Sequence, residues 1–131
     1  MNTVLLIEDN VNNRSLLEDV FLFGDIPARL VSVETGEEAL SRAVELQPVL
    51  ILMDLRLPGI DGLETTQILK CNPLTKDIPV WAITAYAMKG DEERARAAGC
   101  GEYITKPMHV LDLANRLRAF LARLERRKVL T

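Results

Sequence analysis

The chain has 131 residues, 48% hydrophobic and 27% charged, enough to bury one core and no more, so a single domain over 1–131 is expected. A formal net charge of -3 argues against a polyanion-binding surface, and no direct nucleic-acid contact is expected. The two cysteines, Cys71 and Cys100, stand far apart with no histidine cluster nearby, which excludes zinc-ligand spacing and a disulfide framework and suits a reducing cytoplasm. The amino terminus carries no basic segment, long apolar stretch or cleavage site, so neither a signal peptide nor a membrane span is expected.

In chain order, Val4 to Ile7 predicts a strand and Asn12 to Phe23 a helix, ended by Gly24-Asp25-Ile26-Pro27. Ala28 to Val33 predicts a second strand and Gly36 to Leu46 a second helix, stopped at Gln47-Pro48. Val49 to Met53 is apolar throughout, and the helical spacing of Leu63 to Cys71 ends at Asn72-Pro73. Val80 to Thr84 and Glu102 to Ile104 predict the last strands, with helices over Met88 to Ala98, closed by Gly99, and Val110 to Arg127. In the last helix Val110, Leu113, Leu117, Phe120, Leu121 and Leu124 form one stripe. Five strand-helix units with apolar strands predict an α/β fold: a doubly wound, five-stranded parallel sheet with helices on both faces.

In such a sheet, ligands bind beyond the carboxyl ends of the strands. The first strand ends in Glu8-Asp9, the third in Asp54, the fourth in Thr84, and the fifth is followed by Thr105-Lys106-Pro107. Three carboxylates, a hydroxyl and an ammonium therefore converge on one edge. Close acids need a raised pKa or a bound cation, and an all-oxygen donor set with room for water and phosphate suits Mg²⁺. Lys106 supplies a point charge and Thr84 a hydrogen bond for a phosphoryl group, which makes Asp54, on the central strand, the expected nucleophile toward phosphorus. Taken singly, each residue has a structural alternative. Glu8-Asp9-Asn10 reads equally as a helix start, Asp54 as a strand end, Thr84 as a β-branched strand residue and Lys106 as a loop charge.

The set resembles the receiver family of two-component signalling across Thr3 to about Arg126. The stretch Leu52-Met53-Asp54-Leu55-Arg56-Leu57-Pro58-Gly59-Ile60-Asp61-Gly62 is similar to the family's phosphoacceptor loop, and Ile104-Thr105-Lys106-Pro107 to its lysine-proline motif. The resemblance implies a flavodoxin-like strand order 2-1-3-4-5 and a signalling module, not an enzyme. Asp54 is then the acceptor of phosphate from a histidine kinase or histidine phosphotransfer protein. Mg²⁺ is bound by Glu8, Asp9, Asp54 and the backbone carbonyl of Arg56, with Thr84 and Tyr103 as a switch pair and a cis Lys106-Pro107 bond. Thr84 to Arg94, with Gly99-Cys100 and Tyr103-Ile104, further resembles DivK-type single-domain regulators of alphaproteobacteria and receivers at the ends of hybrid sensor kinases. The alternatives are therefore a receiver cut from a hybrid kinase and a scaffolding receiver without phosphorylation.

Output is expected to reach a separate protein through the face of the fourth helix, fifth strand and fifth helix, in the bacterial cytoplasm. Arg116, Arg118, Arg123, Arg126, Arg127 and Lys128 give that last helix a basic side, which a solvated helix end explains equally well. The Arg56 side chain is expected to leave the acceptor turn toward solvent, within reach of the phosphoryl rim, and His109 to be a solvated residue. An aspartyl-nucleophile phosphatase would want a second acid where Arg56 stands. A nucleotide binder would want a glycine-rich turn after the first strand, where Glu8-Asp9-Asn10 stands.

Overall fold

The computed structural model describes residues 2–85, 88–106 and 109–130. Its elements run β1 (Asn2–Ile7), α1 (Val11–Phe23), β2 (Ala28–Val33), α2 (Gly36–Leu46), β3 (Leu50–Asp54), α3 (Gly62–Cys71), β4 (Val80–Thr84), α4 (Asp91–Ala98), β5 (Glu102–Thr105) and α5 (Val110–Leu130). The five strands pair in parallel in the order β2-β1-β3-β4-β5, as expected. Pro107 and Tyr86-Ala87, parts of the two sequence motifs, lie outside the described residues.

Side chains alternate across a strand, so each central strand feeds two cores. Val4 and Leu6 of β1, Leu50 and Leu52 of β3, and Trp81 and Ile83 of β4 pack against Leu17, Val20 and Phe21 of α1 and Leu113, Leu117 and Leu121 of α5. Their neighbours Leu5, Ile7, Ile51, Met53 and Ala82 pack against Ala39 and Ala43 of α2, Leu69 of α3 and Ala95 of α4. Trp81 meets Phe120 edge-on at 5.5 Å. This double burial is why β3 and β4 are apolar along nearly their whole length. The second core also holds Cys100, a buried thiol 3.9 Å from the Thr66 hydroxyl, whereas Cys71 is exposed at the end of α3.

Two helices depart from their predicted bounds by more than one residue. α4 starts at Asp91, not at Met88, because Gly90 takes a φ of 87° and the chain turns there before the helix begins. α5 continues to Leu130, where Arg127 and Lys128 suit the negative end of the helix. Among the described residues no helix is long and apolar enough to cross a membrane.

The start of α3 is pressed against the end of β3. The Gly62 amide donates to Leu55 O at 3.2 Å, and a Cβ on Gly62 would stand 2.3 Å from the Asp54 carbonyl oxygen and 2.7 Å from Leu55 Cα. Backbone atoms cannot yield as a flexible side chain would. Gly62→Ala is therefore expected to destabilise the protein by about 1–3 kcal/mol, seen as a lower urea midpoint at unchanged m-value. An unchanged midpoint would show that the loop relaxes freely.

Candidate functional site

The strand order reverses between β1 and β3, and the carboxyl ends of those strands open the crevice in which the site lies. Glu8 follows β1 with its amide bonded to Val33 O at 3.0 Å and its side chain buried, while Asp9 is exposed. Arg14, on the first turn of α1, donates to the carbonyls of Glu8 (3.0 Å) and Asp9 (3.2 Å) and so fixes the peptide that presents both acids. The cap of α1 is Asn10, whose side chain accepts from the amides of Asn12 and Asn13. That frees Glu8 and Asp9 from the capping role that the sequence left open.

Asp54 ends β3 and is 6% exposed. Carboxylate oxygens of Glu8, Asp9 and Asp54 all lie within 4.8 Å of one another. Lys106, just past β5 and held there by its amide on Thr84 O at 2.7 Å, points its ammonium into the cluster. Its Nζ hydrogen-bonds Glu8 Oε1 and stands 3.6 Å from Asp54 Oδ2. The Arg56 amide donates to Asp54 Oδ1 at 3.0 Å, which orients the carboxylate and places the Arg56 peptide beside it. Thr84 is fully buried at the end of β4, in register with Thr105. Tyr103, on β5, packs into the second core with its hydroxyl buried and without a hydrogen-bond partner among the described residues. His109 is exposed.

The Arg56 side chain is half exposed, as expected, and its guanidinium pairs with Asp91 at 3.2 Å, at the start of α4. Sequence reading missed Arg14 as the residue that holds the acidic turn, and Asp91 as a buried acid. Its place right after Gly90 was the available signal.

Glu8, Asp9 and Asp54 fit a hard divalent ion. All three donors are carboxylate oxygens, and an octahedral Mg²⁺ with oxygens at about 2.1 Å spans roughly 4.2 Å between opposite ligands, close to the separation found. A family model for the response regulator receiver domain matches residues 4–118. The chain belongs to that family.

Among relatives of this receiver is the polar-differentiation response regulator DivK of Brucella ovis, 42% identical over 119 residues, which are 91% of this chain and 95% of that protein. The receiver domain of a sensor histidine kinase from Pseudomonas aeruginosa, solved with magnesium coordinated in its active-site cleft, is 30% identical with a TM-score of 0.82, covering 92% of this chain and 98% of that one. The phosphorylated cyanobacterial phytochrome response regulator RcpA is 28% identical with a TM-score of 0.75, covering 90% and 89%. Receiver domains are signalling modules that take part in two-component systems.

Burial first, and then a hydrogen bond to Glu8, push the Asp54 carboxyl up from its ordinary 3.8 to about 7, against the opposing pull of the Arg56 amide and the Lys106 charge. The folded protein thus keeps a proton on Asp54 that the unfolded chain loses near pH 4. Stability contributed by this group is present below that range and falls as pH rises toward 7. In EDTA, Asp54→Asn should accordingly raise the urea midpoint more at pH 8 than at pH 5, and Mg²⁺ should erase the difference by stabilising the wild-type carboxylate. An equal increment at both pH values would place the shift elsewhere.

The separation of capping from metal binding has its own test. Asn10→Ala should cost about 1 kcal/mol of stability, whereas Asp9→Ala, on an exposed side chain, should stay within about 0.5 kcal/mol yet weaken Mg²⁺ binding at least tenfold by titration. Loss of stability with metal affinity intact would make Asp9 a structural residue.

Proposed function

We propose that Asp54 accepts a phosphoryl group from the phosphohistidine of a kinase or phosphotransfer protein, in a Mg²⁺-dependent reaction, and that the receiver passes the change to a separate protein in the bacterial cytoplasm. The observation that supports this most is the enclosure of one carboxylate, Asp54, among two further acids and a lysine, at the edge where a parallel sheet binds its ligands.

Asp54 Oδ1 accepts the Arg56 amide, so Oδ2, 3.6 Å from the Lys106 ammonium, is assigned as the nucleophile. It forms the new bond to phosphorus as the phosphorus-nitrogen bond of the phosphohistidine breaks, and the imidazole nitrogen keeps that electron pair. Lys106 now binds Glu8; turning its ammonium to a phosphoryl oxygen places positive charge where negative charge accumulates. The buried Thr84 hydroxyl donates to a second phosphoryl oxygen. Glu8, Asp9, Asp54 and the Arg56 carbonyl would hold a Mg²⁺, which would supply positive charge against the repulsion between an anionic donor and an anionic acceptor.

Movement of Thr84 toward the phosphoryl group is coupled to Tyr103 on the neighbouring strand, and the face of α4, β5 and α5 carries the altered surface to the effector.

Asp54→Asn should abolish Mg²⁺-dependent labelling by acetyl phosphate or a cognate kinase, measured by intact mass or a phosphate-retarding gel. Persistent labelling of the variant would move the acceptor to another residue.

A further inference from the structure

Asp91 lies outside the acidic cluster, yet it is the acid through which α4 is tied to the acceptor loop. Behind Gly90 the chain folds back so that the Asp91 amide donates to Met88 O at 3.0 Å and the Met88 amide donates to Asp91 Oδ2 at 2.9 Å. The turn encloses the carboxylate, leaving its side chain 7% exposed, and an enclosed carboxylate is retained only with partners. Arg94, on the same turn of α4, hydrogen-bonds Oδ1. The other cation comes from a different element: Arg56 Nη2 reaches Oδ2 at 3.2 Å from a loop 35 residues earlier.

Arg56 therefore links two acids. Its amide holds Asp54 Oδ1 and its guanidinium holds Asp91, so one residue joins the acceptor carboxylate to the first turn of α4. After burial, the charges of Asp91 and then Glu92 are what most disfavour ionisation of the Tyr103 phenol on β5. The acceptor loop and α4 meet at Asp91.

Resting on the phosphoacceptor reading of Asp54, we propose that Arg56 is a positioning residue that holds the start of α4 to the acceptor loop through Asp91, and that a phosphoryl group on Asp54 competes for its guanidinium and loosens that hold. A phosphoryl group adds charge and oxygens in a geometry that a guanidinium grips with two N–H groups at once. The Arg56 side chain is 46% exposed, so it exchanges partners without breaking a core. Asp91 retains Arg94 and the Met88 amide when Arg56 leaves, so no bare buried charge results. What α4 loses is the tether to the loop, and the size of the response equals the difference in what the guanidinium gains at the two sites.

Amide hydrogen exchange over residues 91–94 tests this in wild type, Arg56→Gln, Asp91→Asn and the double variant, each with and without beryllofluoride and Mg²⁺ as a phosphoryl analogue. Analogue occupancy is followed separately by its fluorine signal. In wild type the analogue should speed exchange of the first turn of α4 by about two- to fivefold, the range of a half-exposed ion pair. Each single variant should show that acceleration without the analogue, the double variant should add nothing, and the analogue should then leave α4 unchanged though bound. A wild-type response in Arg56→Gln with analogue bound, or additive single variants, would overturn the proposal. Arg56→Gln alters a half-exposed side chain, so its arm decides even where Asp91→Asn unfolds the chain. If wild type bound no analogue, the acceptor reading would fail, and the cycle without analogue would still decide whether the pair holds α4.

Discussion

Mutual repulsion among Glu8, Asp9 and Asp54 is the constraint around which this receiver is arranged. Carboxylate oxygens within 4.8 Å of one another, two of the three side chains buried, cannot all be charged without compensation. Compensation comes in three forms that compete for the same lone pairs: a proton on Asp54, the ammonium of Lys106 and a divalent cation. Each changes the net charge of the crevice.

The rest of the fold keeps that balance from collapsing. Arg14 and the Asn10 cap hold the acidic turn, the close approach of Gly62 holds the end of β3, and the pairing of Lys106 with the β4 backbone fixes the lysine. These supports come from β1, α1, α3 and β4, whose side chains are locked into the two cores. The α4 side differs: its helix is eight residues long, begins at a left-handed glycine and carries charged side chains on much of its surface.

Much of this was legible in the residues alone. Uninterrupted apolar runs such as Leu50-Ile51-Leu52-Met53 mark strands covered on both faces, and parallel strands necessarily deliver their terminal residues to one edge, so Glu8, Asp9, Asp54, Thr84 and Lys106 could be grouped before any coordinates. The pairing of Arg56 with Asp91 could not, because it depends on how two irregular loops, separated by 35 residues, lie beside each other. Periodicity carries no information about such loops. For the same reason the start of α4 was placed too early: Met88 and Lys89 suit a helix, and the left-handed turn at Gly90 overrides them. The buried Tyr103 hydroxyl was equally out of reach, since a tyrosine on a short edge strand turns either way with the packing around it.

Cys100 sits behind α4, in the core that α4 shares with α3 and β5, and burial raises its thiol above the usual range, so almost none of it is the reactive thiolate in the closed fold. Cys71 is exposed. An alkylating reagent therefore meets one thiol at the surface at once and the other only when the core around it opens. The chain carries an internal chronometer with its own reference, in which the ratio of the two modification rates reports how often that core opens.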